Sequence, residues 1–210
     1  MLSLFTITES GHSAFKMNQK LLDKVKEAIG DRKGAHGLDH FIRVRTTALK
    51  IAEMEEADKE IVEAMALLHD IVRYEDEREE KSVEETLKMA KEILTNLNYS
   101  EEKIIAILDG ISSHSLHSQL KKDPSTIEAK ILFDADKIDS VGEIGIARWF
   151  MTMKNRNISV KETASIYLNT IEKQERKMGG KMYTALGDKM VRDRIKFTKQ
   201  FLNHLLKRIE

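Results

Sequence analysis

Apolar side chains recur every three or four residues along the segment IVEAMALLHDIVRYED, residues 61–76. One stripe of an amphipathic helix carries four of them, Ile61, Met65, Leu68 and Val72. Similar spacing predicts helices over 18–29, 40–51, 82–97, 100–111, 127–138, 159–177 and 188–209. The chain contains a single proline, the residue that most strongly interrupts helices, among many Leu, Ala, Glu and Lys residues. The sequence therefore predicts an all-α fold.

An adjacent histidine and aspartate, His69 and Asp70, stand at the end of this apolar run. Burying an imidazole and a carboxylate costs several kcal/mol unless each finds a partner, and one divalent cation can partner both. His40 and Asp136 interrupt other predicted apolar faces in the same way. A single buried histidine is more often an ordinary core residue than a ligand. Two imidazoles and two carboxylates together suit a divalent first-row ion that keeps open positions for water.

Composition limits the chemistry that the chain can perform. It has 210 residues, enough for one substantial core, and 35 basic residues balance 35 acidic ones, so no binding to nucleic acid is expected. The absence of cysteine excludes disulfides, thiolate zinc sites and cysteine nucleophiles. The first fifteen residues do not resemble a signal peptide, and no apolar segment reaches the roughly 20 residues that a membrane span needs. These features predict a soluble, cytoplasmic protein.

Capping residues predict where several helices begin and end. Asp39, Asp58 and Ser100 are candidate N-caps, and Ser82 forms a capping box with Glu85. The charged run EDEREEK, residues 75–81, predicts a solvated loop where the central helix ends. Pro124 and Ser125 mark another helix start, and two glycines, Gly142 and Gly145, predict a bend before the chain re-enters a helix.

The ordered set His40, His69-Asp70 and Asp136 resembles the HD-domain superfamily of metal-dependent phosphohydrolases, an all-α family. Four flanking segments are also similar: HGLDHFIRV (36–44), ALLHDIVR (66–73), SSHS (112–115) and FDADKIDSVGEIGIAR (133–148). The similarity covers about residues 30–150 and is to the small bacterial and archaeal HD hydrolases related to nucleotide phosphohydrolases. It implies a single-domain helical bundle with an N-terminal arm (1–17), an HD phosphohydrolase domain (18–158) and C-terminal helices packed on it (159–210).

The resemblance implies roles for individual residues. One divalent ion (Mn, Fe, Co, Ni, Zn or Mg) would be held by His40, His69, Asp70 and Asp136. Asp70 would also accept a proton from the attacking water. Phosphate contact or proton donation would fall to Arg73, His114 and Lys137, which could otherwise be ordinary surface or capping residues. Asp134 and Asp139 would orient helices or support the ligands, and His36 would be a supporting or substrate group rather than a ligand.

Two departures from the family pattern narrow this expectation. Only His114 and His117 lie between the doublet and Asp136, so one metal is expected rather than two. Nucleotidases and guanosine-tetraphosphate hydrolases of the family place a catalytic Glu three residues after the HD Asp, where this chain has Arg73, which weakens both assignments.

The predicted function is hydrolysis of a phosphoester or phosphoanhydride bond in a nucleotide or related small molecule by a metal-activated water. The alternative is a non-catalytic HD module that binds a nucleotide or metal and signals through partners. A plain helical bundle with incidental polar core residues is a weaker third interpretation. The sequence leaves open whether the chain forms a homo-oligomer.

Overall fold

The computed structural model describes residues 18–73, 79–114, 123–154, 157–178 and 182–209. These residues form helices and no strand, which confirms the predicted all-α class. The helices are α1 (Gln19–Ile29), α2 (Leu38–Met54), α3 (Lys59–Leu68), α4 (Glu79–Asn96), α5 (Glu101–Ser113), α6 (Ile127–Asp139), α7 (Gly142–Lys154), α8 (Val160–Met178) and α9 (Ala185–Arg208). The predicted arm 1–17 lies outside the described residues, and the division between 158 and 159 stays a prediction.

Side-chain caps fix several of these helix starts. Asp58 accepts hydrogen bonds from two backbone N–H groups of the first turn of α3, and Ser100 accepts one at the start of α5. Both predicted N-caps are therefore confirmed. Thr126 caps α6 and Thr184 caps α9, so α9 begins three residues before the predicted position.

Two other predicted helix starts are wrong. Gly37 is the N-cap of α2, and Asp39 lies inside the first turn, where it pairs with Arg43 at 2.6 Å. Helix α4 begins at Glu79, so the predicted loop is wrong for residues 79–81, while 74–78 lie outside the described residues. Ser82 therefore lies within the helix and is buried. Charge alone did not exclude helix here, because Glu and Lys are good helix formers.

The central helix also ends earlier than predicted. Helix α3 stops at Leu68, His69 is its C-cap, and Asp70 lies in the turn that follows. The backbone carbonyls of Asp70 and Ile71 accept hydrogen bonds from the guanidinium of Arg32, which lies between α1 and α2. These bonds satisfy carbonyl groups that a longer helix would otherwise use.

Four helices converge on one region of the core. Helix α2 packs against α3 and α6, while α5 packs against α3 and α6 from another side. Fully buried side chains fill the space between them, including Phe41, Ile51, Leu67, Ile107 and Ile131. This packing brings together the start of α2, the end of α3, the end of α5 and the last turns of α6.

A sharp turn joins α6 to α7. Gly142 begins α7 with a φ of 75°, a conformation that glycine adopts without strain. Gly145 lies so close to the backbone of Ser140 that a Cβ atom would overlap its carbonyl group and would also lie 2.8 Å from the Tyr167 hydroxyl. The predicted bend is confirmed, and α9 packs against both helices and α8. Within the described parts of the chain, none of the helices has the length and apolar character to cross a membrane.

Candidate metal centre

Three side chains, on α2, at the C-cap of α3 and on α6, bring their donor atoms together. The Nε2 atoms of His40 and His69 lie 3.2 Å apart. The Oδ1 atom of Asp136 lies 3.8 Å from the first and 3.7 Å from the second. These three donor atoms lie within 4.8 Å of one another, so the cluster could hold a metal ion. Both histidines are buried, whereas the Asp136 side chain keeps 18% of its surface exposed.

The outer nitrogen of each imidazole already has a partner. His69 Nδ1 lies 3.0 Å from the carbonyl oxygen of Ala66, and His40 Nδ1 lies 2.8 Å from a carboxylate oxygen of Asp139. Since both partners are acceptors, each Nδ1 donates its proton, and in its neutral form each ring presents an Nε2 lone pair to the centre. Two lone pairs and a carboxylate facing one small space suit a shared cation, so the donor set fits a divalent metal.

The surrounding groups shift the pKa values of the three side chains in different directions. Burial lowers the pKa of His40, which favours the neutral imidazole that a metal requires. Burial also acts to lower the pKa of His69, but the nearby carboxylates of Asp136 and Asp70 outweigh it and raise that pKa. Burial opposes ionisation of Asp136, yet the Lys137 ammonium at 2.8 Å and His69 hold its pKa well below the usual range. The site therefore keeps one ionised carboxylate beside two imidazoles.

Asp70, also predicted as a ligand, lies next to the cluster but outside this three-residue group. Its Oδ1 atom is 3.7 Å from His114 Nε2 and 3.5 Å from Arg73 Nη1. Its Oδ2 atom is 4.0 Å from His36 Nε2. Although burial acts to raise the pKa of Asp70, the adjacent His114, His69 and Arg73 hold it well below the usual range. Asp70 is thus an ionised carboxylate surrounded by groups that are or can become cationic.

The other predicted catalytic residues occupy different positions around the centre. His114 is buried at the end of α5, and its Nδ1 lies 2.5 Å from the carbonyl oxygen of Ile111, leaving Nε2 towards Asp70. Arg73 reaches Asp70 from one turn further along the chain. Lys137 pairs with Asp136 and lies over the Phe133 ring, 5.2 Å from its centroid. His117 falls outside the described residues.

Three arginines near the site had not been singled out by the sequence. Arg43 and Arg148 both bind the carboxylate of Asp139, and Arg32 binds the backbone after His69. Arg43 and Arg148 stand inside the motif segments, which was the available sequence signal, but local spacing does not show how far a long side chain reaches. Asp134 instead accepts hydrogen bonds from Tyr183 and Thr184 and so holds the start of α9.

The fold and the site define a class of all-helical domains with a histidine-aspartate cluster that could hold a metal ion. The model of the HD domain family matches residues 37–141, and this chain belongs to that family. HD domains bind divalent metals, and membership supports a metal-dependent phosphohydrolase in general.

Several relatives extend the similarity beyond the matched segment. The uncharacterized protein YpgQ of Bacillus subtilis (strain 168) is 28% identical over 202 residues, which is 92% of this chain and 94% of YpgQ. The crystal structure of YpgQ in complex with ADP has a TM-score of 0.69 and 23% identity, covering 90% of this chain and 93% of that one. An HD-superfamily hydrolase from Bacillus thuringiensis has a TM-score of 0.67 and 25% identity, with coverage of 90% and 95%.

Proposed function

We propose that this protein is a divalent-metal-dependent phosphohydrolase that cleaves a phosphoester or phosphoanhydride bond of a nucleotide. The observation that carries the proposal is the meeting of two buried imidazole Nε2 atoms and one ionised carboxylate within 4.8 Å, directly beside the carboxylate of Asp70. In a purely structural core this arrangement would add no stability, because burying each polar group costs free energy that a partner must offset.

The chain supplies the ligands and the proton acceptor. A divalent ion, when bound, makes water a stronger nucleophile near neutral pH and neutralises phosphoryl charge. His40, His69 and Asp136 would hold the ion, and Asp70 would be its fourth ligand. Because Asp70 is ionised, it can also accept the proton that the attacking water loses.

Cationic side chains line the other side of Asp70. Arg73 is permanently charged and would bind the phosphoryl oxygens of a substrate. His114 already donates from Nδ1, so a second proton on Nε2 would make it a donor to the leaving group. Lys137, now paired with Asp136, would stabilise negative charge that develops beside that ligand.

The substrate class rests on local charge and on one relative. The whole chain is neutral, so attraction for an anion must come from the cations at the site. YpgQ, which shares 28% identity across nearly the whole chain, has a crystal structure in complex with ADP. These observations support a nucleoside phosphate as the substrate.

Turnover by the purified full-length protein tests the proposal. After chelator treatment, we would assay nucleoside mono-, di- and triphosphates and sugar phosphates with Mn, Mg, Co or Ni, measuring phosphate and pyrophosphate. We expect metal-dependent hydrolysis of a nucleotide, reduced by about 10²–10⁴-fold in Asp70→Asn. Glu102→Gln, at an exposed position on α5, is the control and should match the wild type. Nucleotide binding without turnover across the panel would instead support the non-catalytic module.

A further inference from the structure

The buried carboxylate of Asp139 accepts four hydrogen bonds from three side chains. Asp139 is 3% exposed and lies one turn after Asp136 on α6. Its Oδ1 accepts a hydrogen bond from Arg43 Nε at 2.7 Å. Its Oδ2 accepts from Arg43 Nη2 at 3.1 Å, from Arg148 Nη1 at 2.5 Å and from His40 Nδ1 at 2.8 Å. An ionised carboxylate can only accept hydrogen bonds, and four donors from three side chains contact this one.

The ionised state of Asp139 determines which nitrogen of His40 carries the proton. Both guanidiniums remain charged at any pH that the protein meets, so they keep Asp139 ionised and acceptor-only. A carboxylate in that state can engage His40 Nδ1 only if Nδ1 carries a hydrogen. The proton is then absent from Nε2 of the neutral ring, the atom that faces the metal centre.

The second imidazole of the centre is held differently. His69 Nδ1 donates to the carbonyl of Ala66, a neutral acceptor in its own helix. His40 instead depends on Asp139, which is 99 residues away in sequence and belongs to α6. Hydrogen bonds to a charged partner are roughly twice as strong as neutral ones. The orientation of His40 therefore depends on how α6 and α7 pack against α2, the helix that carries it.

The turn between α6 and α7 makes the Arg148 contact feasible. Arg148 also donates to the backbone carbonyl of Asp139 at 3.2 Å, so its guanidinium spans both the main chain and the side chain of that residue. Arg148 can reach Asp139 because Gly145, which has no Cβ atom, lets α7 approach the backbone of Ser140 closely. Residues 136–148 thus carry three parts of the site in one continuous segment. These are the candidate ligand Asp136, the carboxylate of Asp139 that holds His40, and the guanidinium of Arg148 that holds Asp139.

We infer that Asp139, braced by Arg43 and Arg148, is a positioning residue that fixes the tautomer and ring orientation of His40 and so strengthens metal binding. This role rests on the metal binding in the proposed function, but the hydrogen bond itself involves only protein atoms. The two can therefore be tested separately.

Metal affinity is the first measurement. Titration calorimetry of chelator-treated full-length protein with Mn²⁺ would compare the wild type with Asp139→Asn and Arg148→Gln, alongside thermal unfolding of each metal-free protein. We expect Asp139→Asn to weaken affinity by about 10–100-fold and Arg148→Gln to weaken it less, since loss of a partner that orients a ligand has effects of this size. Arg148→Gln leaves the carboxylate in place, so it remains informative if Asp139→Asn folds poorly.

The control is another buried ion pair that also involves α2. Glu63 is 1% exposed and pairs with Arg45 at 2.6 Å between α3 and α2. Glu63→Gln should lower the melting temperature yet keep the wild-type affinity for Mn²⁺. An affinity of Asp139→Asn within threefold of the wild type, or a loss no larger than that of Glu63→Gln, would overturn the inference.

The second measurement observes the His40 ring directly. Long-range ¹H–¹⁵N spectra of the metal-free protein distinguish protonated from unprotonated ring nitrogens, and His40→Gln identifies the resonances. We expect a protonated Nδ1 and an unprotonated Nε2 in the wild type, and a mixture of tautomers in Asp139→Asn. Identical ring spectra in the two proteins would contradict the role of Asp139. A wild type that binds no ion would defeat the proposed function, while these spectra would still decide whether Asp139 fixes the ring.

Discussion

The centre has two halves that differ in how closely their polar side chains contact their partners. The ligand half consists of His40, His69 and Asp136, and the Asp70 half consists of His36, Asp70, Arg73 and His114. In the ligand half, hydrogen bonds of 2.8–3.0 Å fix the outer nitrogen of each imidazole, and an ammonium lies 2.8 Å from the carboxylate. In the Asp70 half, the carboxylate lies 3.5–4.0 Å from its three neighbours.

This difference indicates which side chains are already oriented before an ion or substrate binds. Ligands that must hold an ion gain affinity when their orientation is fixed before binding. A carboxylate that must take up a proton, and contact an ion or a substrate in turn, needs room to change partners. The short contacts of the ligand half and the longer separations of the Asp70 half match these two requirements.

The largest effect is expected from breaking the ligand half. Asp136→Asn removes the only carboxylate of the three-residue cluster, so affinity for Mn²⁺ should fall by at least about 100-fold and turnover should be lost. Mn²⁺ at 100 times its dissociation constant should raise the free energy of unfolding of the wild type by about 2.7 kcal/mol, or roughly 5–10 °C in melting temperature. Thermal unfolding with and without Mn²⁺ checks this, and an equal shift in Asp136→Asn would exclude Asp136 as a ligand.

Breaking the Asp70 half should separate turnover from binding. Asp70→Asn keeps the shape of the side chain but removes its charge, so it can no longer accept a proton. We expect kcat to fall by about 10²–10⁴-fold, while affinity for Mn²⁺ falls by only about tenfold. Calorimetry and steady-state kinetics on the same preparation measure both quantities. If affinity fell as far as in Asp136→Asn, the two halves would not differ in the way proposed here.

A third prediction concerns the turn that supports the ligand half. Gly145→Ala places a methyl group against the backbone of Ser140, so α7 must shift and carry Arg148 away from Asp139. We expect a stability loss of about 1–3 kcal/mol, together with a roughly tenfold loss of Mn²⁺ affinity. Urea unfolding and calorimetry provide the two values.

A matched glycine on α5 shows whether overpacking alone explains such a loss. A Cβ atom at Gly110 would meet the flexible end of the Met65 side chain, away from Asp139. Gly110→Ala should therefore lower stability while leaving Mn²⁺ affinity unchanged. Equal losses of Mn²⁺ affinity in the two variants would show that overpacking alone explains the effect, and that Gly145 has no particular role in supporting His40.

Much of the fold and part of the site could be predicted from the sequence, for a physical reason. Helical spacing and N-caps such as Asp58 and Ser100 are local, and they located most helices within a few residues. The inward positions of His40 and His69 followed from the same spacing. Periodicity records burial rather than hydrogen bonding, however. Ile71 is 2% exposed and continues the apolar pattern beyond Leu68, although the helix has already ended there.

The remaining features depend on contacts between distant segments. Arg32 donates to the carbonyl of Asp70, which is 38 residues away and lies just beyond the end of α3. The bracing of Asp139 by Arg43 crosses 96 residues. The position of the Asp70 carboxylate depends on a turn and on a side-chain rotamer. None of these is encoded in the spacing of nearby residues, so the sequence identified the donors but not the supports that orient them.

The smallest effect is expected from His36, at the edge of the Asp70 half. Burial lowers the pKa of His36 to about 3, so its imidazole is neutral at neutral pH. A neutral ring 4.0 Å from Asp70 contributes little charge, and His36→Asn should reduce kcat at neutral pH by less than about tenfold. A larger loss would mean that His36 contacts the substrate rather than only lining the carboxylate.

The same low pKa predicts how acid affects the folded protein. Between about pH 3 and the ordinary value of 6.5, the unfolded chain carries a proton on His36 that the folded protein lacks. Acid therefore favours the unfolded state, and the contribution of His36 makes stability rise with pH across this window. In urea unfolding of the metal-free protein, His36→Asn should reduce the slope of unfolding free energy against pH by up to about one proton equivalent. Equal slopes in the two proteins would show that the His36 ring is protonated in the folded state, which would make the Asp70 half more strongly cationic than its geometry indicates.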